Sequence, residues 1–130
     1  MFKSVMRYAL LALAVAGLAI MGIAMAGGVD TQKVVYHVND LEKANAAFRN
    51  VKNHLNASGD DRVEIIVVTH SGGAMALVEG STDSRGNNFV SDIQALANRG
   101  VKFQICNNTI VGKEIDRNAI DLNAEVVPSG

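Results

Sequence analysis

The stretch V-E-I-I-V-V-T-H, residues 63–70, is the most apolar strand candidate in the chain. A near-continuous run of Val and Ile is typical of a strand that is buried on both faces of a parallel sheet. The stretch therefore predicts a central strand that ends at His70. The turn Ser71-Gly72-Gly73 follows directly, and such a turn could present backbone N–H groups to an anion such as a phosphate or a sulfur oxyanion.

Strand and helix patterns alternate on both sides of this stretch. Residues 33–38 and 101–106 predict strands, and residues 124–127 predict a fourth. An amphipathic helix follows the first strand, with Asn39 as its N-cap and Glu42 at the spacing of a capping box. Residues 89–97 predict a second helix, and Asp116 is a good N-cap for a later turn. The alternation predicts an α/β domain with a mainly parallel sheet of four or five strands, covered on both faces.

The first 26 residues have the three parts of a secretory signal peptide. Lys3 and Arg7 precede an apolar run, and the run ends in Ala24-Met25-Ala26. We expect cleavage after Ala26, which would make the protein periplasmic or otherwise exported from a bacterium. The alternative is an uncleaved membrane anchor, since the run is nearly long enough to span a bilayer. The chain would contact a membrane only in that case.

Residues 27–130 are expected to form a single domain. Only two of the twelve basic residues and none of the thirteen acidic residues precede position 27, so this part carries a net charge of −3. A charge of that sign argues against nucleic acid as a partner. The chain has one cysteine, Cys106, which cannot form an internal disulfide.

Cys106 lies in V-K-F-Q-I-C-N-N-T, residues 101–109, at the carboxyl end of the third predicted strand. Lys102 and Gln104 share its polar side of the strand. Asn108 and Thr109 follow, and residues of these types favour helix starts, where free N–H groups would stabilise a thiolate. Cys106 is either such a nucleophile or a small residue that fills the core, and the residues alone leave both interpretations open.

Histidines also end the first two predicted strands. His70 follows the second strand and could act beside Cys106 as a base, an anion contact or a ligand, or it could simply bond to the backbone. His37 is flanked by core residues and is expected to be structural. His54 is expected on the surface of the first helix. No pair of Cys or His stands at a local metal-ligand spacing and no nucleotide-binding motif is present, so we predict neither a metal nor a cofactor.

Five segments together give a more specific signal. They are V-V-Y-H-V-N-D, N-H-L-N-A, E-I-I-V-V-T-H-S-G-G-A, G-V-K-F-Q-I-C-N-N-T and V-V-P-S-G. In this combination the chain resembles the DsrE/DsrF-like family, and above all its exported branch, which carries a leader and a Cys-x-Asn-Thr sequence. The resemblance implies a three-layer α/β/α domain that forms homo- or hetero-oligomers. It also implies a chain shortened at its end, because family members continue past V-P-S-G with a helix and a strand.

The resemblance further implies a sulfur carrier or a sulfurtransferase-like relay, in which Cys106 holds a persulfide. His70 and Cys106 would be the catalytic residues. The binding site would be formed by Ser71, Gly72, Gly73, Asn108 and Thr109. The partner would be a sulfur donor or acceptor, either a protein or a small sulfur compound. Two other functions remain open: a non-catalytic oligomeric binding module with a structural cysteine, and a metal-binding protein that uses Cys and His.

Overall fold

The computed structural model describes residues 30–130, and within them Thr31–Gly130 form one compact unit. The predicted leader, residues 1–26, lies outside the described residues. Within residues 30–130, no helix has both the length and the apolar character needed to cross a bilayer.

Four strands alternate with helices, as the sequence pattern predicts. In chain order the elements are β1 (Gln32–Val38), α1 (Leu41–Ser58), β2 (Val63–Thr69), a 3₁₀ helix (Ser71–Leu77), α2 (Val90–Ala97), β3 (Lys102–Cys106), α3 (Asn107–Gly112), a 3₁₀ turn (Arg117–Ala119) and β4 (Ala124–Val127). All the strand pairs are parallel, and the sheet order is β1-β2-β3-β4. The α/β class and the parallel sheet are therefore confirmed.

The strand order decides where the helices lie. Each strand pairs with the strand that precedes it in the chain, so every crossover moves across the sheet in the same direction. Parallel strands are joined by right-handed crossovers, and a series of these in one direction places every helix on the same face. The packing agrees, because Phe48 of α1 meets Phe103 of β3 edge-on at 5.6 Å and Phe89, just before α2, at 6.2 Å between ring centroids. This face of the sheet carries the core.

The opposite face carries the alternate residues of each strand. In β2 the inward side chains from Val63 to Thr69 are buried, but Ile66 and Val68 on the other side are only half-buried. On β1 the side chain of Val35 is 62 % exposed. The prediction that residues 63–70 are buried on both faces is therefore wrong for the described chain, in which residues 30–130 form the sheet and one helical layer. We call this second surface the open face.

The first helix begins one residue later than the sequence pattern predicts. Asp40 is the N-cap, and its side chain accepts a hydrogen bond from the backbone N–H of Glu42 at 2.9 Å. The prediction of Asn39 as the cap is wrong, because Asn39 lies just outside the helix. Glu42 bonds instead to the backbone N–H and hydroxyl of Ser84, which joins α1 to a distant loop. The predicted cap at Asp116 is confirmed, since its side chain accepts from the N–H of Asn118.

A buried carboxylate, Asp83, holds that loop in place. It accepts hydrogen bonds from the backbone N–H groups of Arg85 and Asn87 and from the side-chain amides of Asn45 and Asn87. The bonds from Asn87 are the main cause that lowers the pKa of Asp83 to about 2. The carboxylate is therefore ionised at neutral pH, and its bond from Asn45 fastens the loop to α1.

Candidate functional site

Three candidate side chains lie on the open face at the carboxyl edge of the sheet. His37 is opposite Val68 in the β1–β2 register, and Thr69 is opposite Ile105 in the β2–β3 register. The next residues along β2 and β3 are His70 and Cys106. Because side chains alternate along a strand, His37, His70 and Cys106 all project to the face away from the core. The strand order thus brings together residues that are far apart in the sequence.

Cys106 is the N-cap of α3, and only 4 % of the residue is exposed. Four neighbouring hydrogen-bond donors act on the pKa of Cys106. They are the hydroxyl of Thr109 and the backbone N–H groups of Thr109, Gly130 and Asn108. The Thr109 hydroxyl is the largest cause that lowers the pKa of Cys106, and burial opposes it. The net direction is downward, so the surroundings favour the ionised, nucleophilic sulfur.

The Thr109 hydroxyl is itself held in place from the neighbouring strand. The backbone N–H of Ser71 donates to Thr109 Oγ1 at 3.0 Å. Because the Thr109 oxygen accepts this hydrogen bond, its own O–H is left to donate toward the sulfur of Cys106. Ser71 reaches this position with φ of +50°, in the left-handed region that non-glycine residues seldom adopt. The backbone of Ser71 therefore orients the donor on which the thiolate depends.

His70 is half-buried beside this pair and has two partners of its own. Its Nδ1 forms a hydrogen bond with Ser71 Oγ at 3.0 Å, and its ring lies against the ring of His37 at 4.4 Å between centroids. Both contacts hold the imidazole on the open face next to Cys106. The neighbours of His37 do belong to the core, but the alternation of β1 turns its own side chain outward, where it is exposed, and its structural role stays a prediction.

The glycines after His70 differ in their surroundings. A Cβ on Gly73 would lie 2.2 Å from the carbonyl oxygen of Val38, whereas a Cβ on Gly72 would be 3.5 Å from the nearest backbone atom, the carbonyl oxygen of Asn39. Gly73 is buried, so the end of β1 packs directly on its backbone. That close approach is a packing reason for glycine at position 73, separate from the anion contact that the sequence predicts there.

The sequence pattern missed one residue of the site. Gly130 donates its backbone N–H toward the sulfur, and a Cβ placed on it would lie 3.4 Å from His70 Cβ and 3.5 Å from Cys106 Cβ. The only sequence signal was indirect, because V-V-P-S-G is one of the segments that carry the family resemblance. His54, predicted on the helix surface, is half-buried and bonded to Tyr36 and Gln32.

Two grooves lie elsewhere on residues 30–130. One of about 550 Å³ is lined by residues of α1, α2 and the Asp83 loop, and one of about 380 Å³ is lined by residues around the end of the 3₁₀ helix Ser71–Leu77. Cys106 lines neither of them. In the same part of the chain, no group of three His, Cys, Asp or Glu side chains is placed to hold a metal ion. The candidate site is a thiol at the carboxyl edge of the sheet.

Neither a protein-family model nor a curated protein matches this sequence. Solved structures do match. A protein of unknown function, MTH1491 from Methanobacterium thermoautotrophicum, is 27% identical with a TM-score of 0.66, over 76% of this chain and 84% of the other. YchN from E. coli is 15% identical with a TM-score of 0.57, over 75% of this chain and 84% of the other. The described chain therefore shares the fold of these two proteins.

Proposed function

We propose that the protein is a sulfur carrier in which Cys106 holds a persulfide. The observation that supports this most is the set of donors around the sulfur, led by the Thr109 hydroxyl, which favours the thiolate. A thiolate is the form of cysteine that attacks sulfur. The shared fold with YchN is consistent with such a role.

The proposed step is an exchange between a thiolate and a persulfide. The Cys106 thiolate attacks the outer sulfur of a donor persulfide R–S–SH, and a new S–S bond forms on Cys106. The S–S bond of the donor breaks, and its inner sulfur leaves as a thiolate that is protonated to R–SH. The outer sulfur keeps its hydrogen or loses it to water. In this step no other oxidant or reductant is needed, and the reverse attack by an acceptor thiol unloads the carrier.

His70 and the turn after it have supporting roles in this proposal. His70 lies on the same face as Cys106 and its ring is held there by Ser71 and His37, so it would line the site beside the sulfur. Ser71 orients Thr109, Asn108 is one of the groups that lower the pKa of Cys106, and Gly72 and Gly73 shape the turn. These residues would bind the sulfur compound and position the groups around Cys106, while Cys106 itself would form the covalent bond.

Intact mass after incubation with a persulfidated donor tests the proposal. We expect the wild type to gain one sulfur atom, about 32 Da, that a reducing agent removes. Cys106→Ser is the matched control, since it replaces only the sulfur. No gain on the wild type, or an equal gain on Cys106→Ser, would contradict the proposal.

A second function has one observation in its favour, the 4 % exposure of Cys106. In a non-catalytic binding module the cysteine would be a buried structural residue, and it would react with a thiol reagent only after unfolding. A sulfur carrier must instead let reagent reach the sulfur in the folded state. The rate of alkylation in native buffer, compared with that in denaturant, therefore separates the two functions.

We also propose that the protein acts outside the cytoplasm. The support is the sequence of residues 1–26, with its basic start, apolar run and Ala-x-Ala ending. The intact mass of the protein purified from an expressing bacterium reports whether cleavage occurs after Ala26. Retention of the full mass in a membrane fraction would favour the anchor instead.

A further inference from the structure

Positive charge is concentrated in the larger of the two grooves, the one between α1, α2 and the Asp83 loop. Four of the ten basic residues that follow position 27 line it, although residues 27–130 together carry a net charge of −3. Among the residues of the described chain that line this groove, Asp92 is the only acidic one. We call it the basic groove, after its four cations Arg49, Lys52, Arg85 and Arg99.

Two further carboxylates lie beside the basic groove, and both already have partners. Asp83 is saturated with hydrogen bonds, and the guanidinium of Arg85 approaches it only to 3.6 Å with 72 % of the Arg85 side chain exposed. Arg99 donates to both carboxylate oxygens of Asp60 and to the side-chain oxygen of Asn56. Arg99 is therefore held in place, while the N–H groups of the Arg85 guanidinium remain available to another acceptor.

The two cations contributed by α1 have no such partners. Within residues 30–130, neither Arg49 nor Lys52 forms an ion pair, and both are exposed. They are three positions apart, so they lie on the same side of the helix, where like charges repel. The ion pairs of the described chain do not offset this repulsion, and an anion in the groove would.

The cations form a row rather than a single centre. At one end of the groove, Asn45 of α1 donates to the carboxylate that holds the loop of Arg85. At the other end, Asn56 of α1 accepts from Arg99. A helix rises about 1.5 Å per residue, so positions 45 and 56 are about 16 Å apart, and the two α1 cations lie between them. A row of this length fits an elongated ligand with several negative groups better than one small ion.

We propose that the basic groove binds an elongated small molecule that carries two or more phosphate groups. The groove has a volume of about 550 Å³, and small-molecule sites measure about 300–1,000 Å³. The planar fork of an arginine matches the oxygens of a phosphate, and a lysine adds a point charge. A phosphate group carries close to two negative charges and three acceptor oxygens, so it can bind two of these cations at once, whereas a carboxylate has one charge and two oxygens.

This site is independent of the proposed sulfur carrier. The helices that line the basic groove cover the core face of the sheet, whereas Cys106 projects to the open face. Cys106→Ser should therefore bind the phosphate compound as the wild type does. Sulfur uptake and phosphate binding can thus succeed or fail separately.

Isothermal titration calorimetry with sodium tripolyphosphate tests the proposal. At an ionic strength of about 0.15 M, which screens diffuse surface charge, we expect one molecule to bind per chain. Arg49→Gln and Lys52→Gln should each weaken binding about tenfold, equivalent to about 1.4 kcal/mol. Both side chains are exposed, so the variants should fold like the wild type.

Two variants separate the groove from general charge effects. Lys43→Gln removes the same charge from α1 outside the groove and should leave the affinity unchanged. Asp92→Asn removes the acidic lining charge and should strengthen binding severalfold. The proposal is overturned if tripolyphosphate does not bind, or if Lys43→Gln weakens binding as much as Arg49→Gln does.

Two other compounds identify the class of ligand. Citrate carries three carboxylates in place of three phosphates and should bind more weakly than tripolyphosphate. Citrate that binds as tightly would overturn the assignment to phosphate. A peptide of six glutamates that binds more tightly than tripolyphosphate would overturn the assignment to a small molecule and indicate a protein partner.

Discussion

At the scale of the residue, the ionisation of Cys106 depends on a hydroxyl contributed three positions further along the chain. Thr109 lies in the first turn of α3, and Ser71 holds its oxygen from across the sheet edge. The sequence predicts Cys106, Asn108 and Thr109 close together, because strand end and helix start are local patterns, and their role as one site stays a prediction. It could not predict the Ser71 contact, which joins residues 38 positions apart.

Removing the Thr109 hydroxyl should weaken the thiolate. Thr109→Val has nearly the same shape but no donor, so the pKa of Cys106 should rise toward its ordinary value. Less thiolate would then be present at neutral pH, and alkylation there should be slower, while the limiting rate at high pH stays the same.

Thr109→Ser is the matched variant, because it restores the hydroxyl without the methyl group. It should return the pKa of Cys106 close to that of the wild type. The assigned role of the hydroxyl is wrong if Thr109→Val titrates like the wild type in the same alkylation profile.

At the scale of the element, the strands and the two longer helices could be predicted because their apolar residues recur with clear periods. The order of the strands could not, since a right-handed crossover may lead to either side of a strand. For the same reason the sequence did not reveal the open face. The sequence did not show that His37 points outward. Val35 is an apolar residue on the exposed side of β1, and because of it the pattern resembles that of a strand buried on both faces.

The join between β1 and the 3₁₀ helix Ser71–Leu77 gives a prediction about stability. Gly73→Ala would place a methyl group 2.2 Å from the carbonyl oxygen of Val38, so the two elements must separate. Overpacking of this kind costs about 1–3 kcal/mol in the free energy of unfolding. Urea denaturation followed by circular dichroism measures that loss.

The neighbouring glycine is the control for this prediction. A Cβ on Gly72 has its nearest atom at 3.5 Å, which is ordinary van der Waals contact. Gly72→Ala should therefore change the free energy of unfolding much less than Gly73→Ala does. Equal losses in the two variants would show that the close approach to Val38 is not the cause.

At the scale of the whole molecule, the described chain has two unlike sheet surfaces. One is covered by helices and holds the core, and the other mixes half-buried apolar side chains with ions of both signs. On this open face Lys102 pairs with Glu64 at 2.7 Å, while Val35 remains 62 % exposed. We propose that this surface meets a second copy of itself, and the homo-oligomer that the family resemblance implies stays a prediction.

We expect this self-association to depend on the open face. Val35→Glu should shift the protein toward the monomer in sedimentation velocity, because it places a charge among the apolar residues. Val111 on α3 is 65 % exposed and lies away from the sheet, so Val111→Glu is a matched control. A wild type that sediments as a monomer, or an equal effect of both substitutions, would contradict the expectation.

The sequential strand order also has a consequence for the newly made chain. During synthesis each strand emerges after the one it pairs with, so the sheet can grow in the order of translation without waiting for a distant partner. Thr109, which acts on the sulfur, follows Cys106 in the chain. Until the residues after Cys106 have been made, the thiol lacks the Thr109 hydroxyl that lowers its pKa, so the sulfur gains its nucleophilic character only after β3 has joined the sheet.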